Sequence, residues 1–560
     1  MQTHASWIII RRLRMPLIVI IVTFAISILG MMVIPGVDSD GNIYHLNFFD
    51  AFYFVSYMAS TIGFGESPYD FTYPQKLWVS FSIYLTVLGW FYGIGTIVAL
   101  IQDKILSVEI ERAKFIKDIK NLNEPFILIF GYNNVTKNLI LRLSKIPKRM
   151  VVMDKSEAKI DALNLENYHP HIPAFHGDLL DVEFLEMAGV QSPMCESIVI
   201  VFEKENKNTK IAMMCKYLNP KAKIIVRSNT KRNSDYLHTI EIDHIENPFK
   251  VISNRLYLAL KAPHLWMLEM WVHGHPLRID KQEKIPLGKF VIFGYGRMGR
   301  ALEDGLSKAG MEYSFIDASE LFSSSNKLEH IFSEESLESK LLEAGIDKAT
   351  VIVAGTRDDM VNLAVIMLSK KYNPNIYTIA RENDLTDLSV FKAAKIDRNY
   401  VLEEIVANKT YNYLAMPLAN AFITQLNNRD NEWGKKIVNK IINKMGIAPH
   451  LCEMSATPKQ AIALYNELEK GRKIPLSILK RSREDYKKNN AVIFLLVKRR
   501  GVVNLLPDDD FIVEKNDEFL VVCNHESEVD LAYILNNYYE FYYILNGKEK
   551  ISGIMSKFVH

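Results

Sequence analysis

Cysteine is scarce. The 560 residues hold four, Cys195, Cys215, Cys452 and Cys523, scattered with no metal-ligand spacing. That excludes a disulfide framework and reads as free cytosolic thiols in the core, with a regulatory thiol as the other reading. Net charge is also nearly absent: 67 Lys and Arg against 65 Asp and Glu leave +2, so bulk electrostatics gives no nucleic-acid partner. Charge is missing altogether from two stretches, 16–34 and 77–101. Each reaches the roughly 20 apolar residues that cross a bilayer. No small-residue cleavage pattern follows the first, which argues against a signal peptide. Neither carries an arginine ladder, so no voltage sensor is expected.

What is present begins with basic residues outside those stretches. Arg11, Arg12 and Arg14 precede the first, and Lys104, Arg112, Lys114 and Lys117 follow the second. The intervening segment holds Asp38, Asp40, Asp50, Glu66 and Asp70 against a single Lys76. The excess of Lys and Arg beyond the outer ends predicts a multi-pass protein of the cell (inner) membrane, with both termini cytoplasmic. The acidic segment also contains an apolar run, FFDAFYFVSYMAS, too short to span and of the length of a re-entrant helix. Directly behind it stand Thr61, Ile62, Gly63, Phe64, Gly65 and Glu66. Irregular backbone at membrane depth is tolerated only where protein buries it or where it lines a water-filled path. Two glycines allow successive carbonyls to face one side, and a ring of such carbonyls can replace the hydration shell of a potassium ion.

This strip resembles the potassium-channel signature, whose common form is Thr-Val-Gly-Tyr-Gly-Asp, with Ile62, Phe64 and Glu66 as departures. Phe64 lacks the hydroxyl that would tie a tyrosine behind the filter. The resemblance implies potassium in the filter, a homotetramer in the lipid bilayer, and a pore lined by the second span. Gly89, Gly93 and Gly95 are candidate bending points there. Gly93-Ile94-Gly95-Thr96 looks like the hinge of calcium-gated archaeal channels, which favours Gly93, with Gly89 next. Close helix packing at small residues is the other reading. Asp103 reads either as a cation-concentrating group at the cytoplasmic mouth or as a solvated helix end.

Beyond a charged helical linker, 103–123, short β-runs alternate with helices, a pattern of parallel α/β sheets. The pattern occurs twice. In the first copy FILIF leads to Gly131, Asn133 and Thr136, with Asp154 ending the next strand. In the second, KFVIF leads to Gly294, Gly296, Arg297 and Gly299, with Asp317 in the same place. The second copy holds the full dinucleotide fingerprint, in which glycines admit a pyrophosphate to a helix N-terminus and the acid meets a ribose. The first copy keeps Gly131 only. Downstream echoes, Asn219-Pro220 with Asn373-Pro374 and Arg227 with Arg381, extend the likeness.

The repeat resembles the RCK (KTN) domain that regulates potassium conductance. The expected architecture is an α-helical two-span pore domain (1–102), the linker (103–123), and two α/β Rossmann-like RCK domains (124–287, including crossover helices, and 288–424). A small α+β C-terminal lobe (425–560) follows, within which 425–490 has no assigned role. The resemblance implies a small-molecule nucleotide effector, NAD or ADP, at Gly294, Gly296, Arg297, Gly299, Asp317 and Arg381, with Gly131, Asp154 and Arg227 as the weaker counterpart. It also offers calcium at Asp178, Glu203 and Glu205, carboxylates of the kind that hard cations prefer. At the matching place the second copy has Ser333-Glu334. No enzymatic activity is expected. A nonselective ligand-gated cation channel of the same architecture is the first alternative. A membrane-anchored NAD-dependent oxidoreductase is the second, for which no catalytic histidine, tyrosine-lysine pair or cysteine is positioned.

Overall fold

The structure is a computed structural model and describes residues 3–274, 278–279, 284–317, 330–331, 336–383 and 388–549; Ser333 and Glu334 lie outside them. The chain forms two compact units, residues 1–123 with 173–175, and residues 124–172 with 176–560.

In the first unit, long helices Thr3–Val33 and Tyr73–Ile101 pack side by side, with the short helix Phe48–Ala59 between them in sequence. The spans Arg11–Val33 and Tyr73–Ile101 would reach about 35 and 43 Å at ~1.5 Å per residue, enough for a hydrocarbon core of about 30 Å. Less than a third of either span is buried, and Leu77, Tyr84 and Leu88 stand open. A helix at the core of a soluble protein would have covered them; these belong to a membrane protein. Small residues set the approach of the pair. A Cβ on Gly30 would lie 2.0 Å from the Trp78 ring, whose Nε1 donates to the Ser27 carbonyl at 3.1 Å. Gly89 and Gly93 likewise face Thr23 and Ile20 (2.8 and 2.6 Å to an added Cβ), whereas Gly95 faces open space. Both expected bending points thus sit at a helix contact, inside one uninterrupted helix.

The second unit contains two six-stranded parallel sheets of the same order, third-second-first-fourth-fifth-sixth. In the first, Phe126–Phe130 lies between Arg149–Asp154 and Cys195–Ile200. In the second, Phe290–Phe293 lies between Tyr313–Ile316 and Val351–Ala354. The central strands are buried on both faces, hence their unbroken apolar runs. After each sheet come two helices joined at one non-helical residue before a proline: Pro248–Lys261 to Pro263–Val272 through Ala262, and Leu402–Ala415 to Pro417–Leu426 through Met416.

The packing of these helices is reciprocal. Pro248–Lys261 lies on Arg297–Ala309 of the second copy, and Leu402–Ala415 lies on Asn134–Leu143 of the first. Buried Glu269 joins the two pairs, with Arg255 Nε at 3.3 Å and Lys409 Nζ at 3.7 Å.

Residues 425–490, unassigned from sequence, supply the helix Asn431–Met445, the strand His450–Ser455 and the helix Ile462–Glu469. The lobe's antiparallel sheet runs His450–Ser455, Glu518–Cys523, Val492–Arg499, Val502–Leu505. One face of it, with Ile493, Leu495 and Val522, joins the core of the crossover helices. The other, with Phe494, Phe519 and Val521, packs under the lobe's own helices.

Gly30→Val is expected to destabilise the detergent-solubilised protein by about 1–3 kcal/mol through overpacking against Trp78, measured as a lower midpoint of thermal unfolding. An unchanged midpoint would show that the two long helices do not depend on this contact.

Candidate functional site

The strip at Thr61 follows from how the short helix ends. Asn47 caps its start by accepting from Asp50 N at 2.9 Å. At its end the amides of Ile62 and Gly63 turn back to the Tyr57 carbonyl, at 2.9 and 3.4 Å. Every second residue is then left-handed: φ is 61° at Thr61, 65° at Gly63 and 102° at Gly65. Glycine accepts this freely, but a β-branched threonine holds it only under constraint. The alternation turns successive carbonyls the same way. The hydroxyl that Phe64 lacks is supplied from elsewhere: Tyr57 Oη donates to the Gly65 carbonyl at 2.6 Å, and its ring meets Phe64 edge-on at 5.5 Å. Glu66 closes the strip by accepting from Phe71 N at 2.5 Å, with Lys76 Nζ at 3.4 Å. Phe64 remains 71% exposed in the single chain.

Asp103 is the N-cap of the helix Lys104–Lys120, accepting from Ile105 N and Leu106 N at 2.9 and 3.2 Å. Its hydrogen bond with Arg12 is the main cause holding its carboxyl below the usual range.

The two glycine turns share one latch and then diverge. Asp154 Oδ2 accepts from Tyr132 N at 2.8 Å, and Asp317 Oδ2 from Tyr295 N at 2.6 Å. Both acids therefore hold the turn itself, and the remaining oxygen of Asp154 takes Ser156 N at 2.8 Å. In the first copy the helix is capped by its own residues: Thr136 Oγ1 accepts from Asn133 N at 2.8 Å, and Asn133 Oδ1 from Thr136 N at 3.1 Å. The Phe202 ring lies against Gly131, 2.4 Å from where a Cβ would be. In the second copy the cap is Gly296, without a side-chain bond and with nothing within 4 Å of an added Cβ. A Cβ on Gly299 would strike the Gly294 carbonyl at 2.3 Å. The second turn keeps open the helix N-terminus that the first turn closes.

Four arginines interact electrostatically at these crevices: Arg381 of the second copy with Arg297 and Arg357 of the same copy and with Arg227 of the first. Arg297 and Arg381 lie 5.2 and 5.9 Å from the Phe249 ring centroid. The Nε atoms of both are buried without a hydrogen-bond partner. Burial, followed by Arg297 and Arg357, pushes Arg381 down to about 10, still a cation at neutral pH. Like charges held in a low-dielectric place attract an anion. Beside them opens a cleft of about 500 Å³, lined by Lys204, Lys207, Lys210 and Arg297 together with Glu203 and Glu205. It is net cationic.

Asp178, Glu203 and Glu205 do not gather into a metal-sized trio among the described residues. Glu205 is turned to Asn229 N and Thr230 Oγ1, at 2.8 and 3.0 Å. Asp178 accepts from Leu180 N at 3.3 Å.

Sequence reasoning missed the residues that position the arginines. Fully buried Asn208 bonds Phe202 N and the Arg227 carbonyl, at 3.0 and 2.9 Å. Asn362 does the same with Thr356 N and the Arg381 carbonyl, both at 2.9 Å. Each asparagine stands 19 residues before its arginine, a spacing that laying one repeat over the other would have exposed. Phe249, Arg357 and Tyr57 were also missed.

The family described as "TrkA-N domain" matches residues 127–248 and 290–401. An uncharacterized protein of Methanothermus fervidus is 27% identical over 243 residues, 43% of this chain and 37% of that one. Potassium channel protein 1 of Methanocaldococcus jannaschii is 25% identical over 241 residues, 43% of this chain and 68% of that one. The chain thus spans little more than a third of the first relative's length. Among solved structures, "GsuK channel bound to NAD" aligns with 94% of this chain and 99% of its own, with a TM-score of 0.50 and 15% identity. That is a likeness of fold. The chain thus carries two segments that match the TrkA-N domain, behind two helices long and apolar enough to span a membrane.

Proposed function

We propose that the chain is one subunit of a homotetrameric, potassium-selective channel, opened or closed by a nucleotide in the cytoplasm. The observation that carries the ion pathway is the strip Thr61–Gly65. Its backbone is left-handed at alternate residues and tethered by Tyr57, and in one chain it has no opposite wall. Four copies around an axis would supply that wall and ring an ion with carbonyls. The basic residues flanking the spans support cytoplasmic termini in a cell membrane. The proposed domain limits are those expected from sequence, with 425–490 joined to the C-terminal lobe.

The nucleotide would sit at the second turn, its phosphates between the open start of the helix Arg297–Ala309 and the guanidinia of Arg297 and Arg381. Asp317, already latched to Tyr295 N, would present its other oxygen to the ribose. Gly131, Asp154 and Arg227 form the lesser site, since Asn133, Thr136 and Phe202 occupy the turn. Arg227 would contribute its charge across the gap. A ligand that prefers one arrangement of the two crevices biases the assembly toward it. Residues 103–123 would carry that bias to the inner helix, with Gly93 as the proposed hinge and Gly89 beside it. The chain acts without chemistry of its own.

Purified protein in planar bilayers, with potassium on one side and sodium on the other, is expected to reverse near the potassium equilibrium value. Robust current reversing near zero would instead mean a nonselective cation channel, the outcome that Phe64 and Glu66 would then explain. Tyr57→Phe removes the tether to Gly65 and is expected to shorten sustained current or admit sodium. Wild-type selectivity and persistence in that variant would show the tether to be idle. Arg381→Ala is expected to cost about 1.5–3 kcal/mol of ADP or NAD binding, roughly 10- to 150-fold, as charged hydrogen bonds do, measured by calorimetry. Thr136→Ala, in the first turn, should leave that affinity in place. Equal losses in both would place the nucleotide elsewhere.

A further inference from the structure

The C-terminal lobe contains a cluster that neither the pore nor the crevices use. His450 opens the lobe's edge strand, His450–Ser455, and pairs in register with Cys523, the last residue of the neighbouring strand. Asn524 then caps the helix His525–Asn536 by accepting from Ser527 N at 2.9 Å. His525 is that helix's first residue, and Glu528 follows three positions later on the same side. The strand start and the helix's first turn therefore meet. One ligand atom each from His450, His525 and Glu528 lies within 4.8 Å of the others. His450 Nδ1 is 3.6 Å from Glu528 Oε2, and the imidazole centroids are 5.6 Å apart.

We infer that His450, His525 and Glu528 form a binding site for a zinc-class transition-metal ion. Ligand bonds of about 2.0–2.1 Å in tetrahedral array put ligand atoms roughly 3.3–3.5 Å apart. The His450–Glu528 pair already stands close to that, and exposed imidazoles turn readily. Two neutral imidazoles and one carboxylate suit zinc, cobalt or nickel, whereas calcium and magnesium prefer oxygen alone. Three protein ligands leave a fourth position to water, which the exposure of both histidines permits. In the structure the Glu528 carboxylate faces the His450 imidazole, with the His525 ring beside it. With an ion, the carboxylate and both lone pairs converge on the same charge.

The site joins two elements of different origin. The strand His450–Ser455 leads from the helix Asn431–Met445, which packs on the crossover helix Pro263–Val272. The helix His525–Asn536 belongs to the lobe's outer layer. An ion held by both would clamp the edge strand to the outer layer and stabilise the lobe by mass action.

The test is a cobalt titration of the purified full chain under reducing conditions, followed by visible absorption. The expected result is a saturable tetrahedral spectrum at one ion per chain, displaced by zinc. His450→Ala and Glu528→Gln should weaken it by at least about tenfold, and His176→Ala, in the first Rossmann copy, should leave it intact. Absence of a saturable spectrum would overturn the proposal, as would a spectrum that survives His450→Ala with His525→Ala. An intense sulfur-to-cobalt band lost in Cys452→Ser would place the ion on the thiols and equally overturn it. Should a variant fail to fold, zinc protection of His450 and His525 from imidazole acylation in the native chain, read by mass spectrometry, gives the same decision. None of these readouts needs ion current or nucleotide, so their failure is separable from failure of the channel reading.

Discussion

Helix Pro248–Lys261 can lie along helix Arg297–Ala309 only because residue 305 has no side chain. A Cβ there would stand 2.7 Å from the Ser253 carbonyl, a backbone atom that cannot swing aside. Much follows from that approach. It carries Phe249 to Arg297 and Arg381. It lets Ser253 Oγ donate to Asp304 at 3.0 Å. It also holds one repeat against the other, so that arginines from both meet. Leu402–Ala415 repeats the arrangement on the first copy, where Arg142 lies over the Tyr411 ring at 4.1 Å and hydrogen-bonds Asn408. A gene-like duplication of one module has become a pair whose members complete each other.

The pairing brings charge together as well as apolar area. Glu269 is 3% exposed, and a lone carboxylate there would cost several kcal/mol, of order 3–5 if its partners were removed. Arg255 comes from the same helix pair as Glu269 and Lys409 from the other. Separating the pairs would strip this carboxylate of its distant partner while leaving it buried. The arginines at the crevices pose the opposite case, cations without enough carboxylate. Such a place is costly when empty and gains when an anion arrives.

Much of this was legible in the sequence, for reasons that can be named. The two spans were visible because lipid demands unbroken apolar length. The strip 61–66 was visible because few other sequences put alternate glycines behind a half-length apolar helix. The sheets were visible because strands buried on both faces are continuous apolar runs. Other features depend on what the chain brings together. Tyr57 is one aromatic among several in its helix until the turn at Thr61 aims the Gly65 carbonyl at it. Glu205 has the right chemistry for calcium, and only the structure shows that it also accepts from the Asn229 amide and the Thr230 hydroxyl. The stretch 425–490 hid its role because its helix buries only a narrow stripe, Ile437, Val438 and Ile441, among lysines and asparagines. Asn208 and Asn362 were silent singly and informative only as a pair.

The contrast between the two glycine turns has a numerical consequence. On the proposed reading, a chain with one self-capped turn and one open turn would offer one strong nucleotide site, although it carries two copies of the module. A ring of such chains would then have as many strong sites as chains, half its number of Rossmann folds. Since the Hill coefficient cannot exceed the number of coupled sites, the duplication would not double the attainable steepness of a dose–response curve. What the self-capped first copy would add is a fixed surface against which the second can be read.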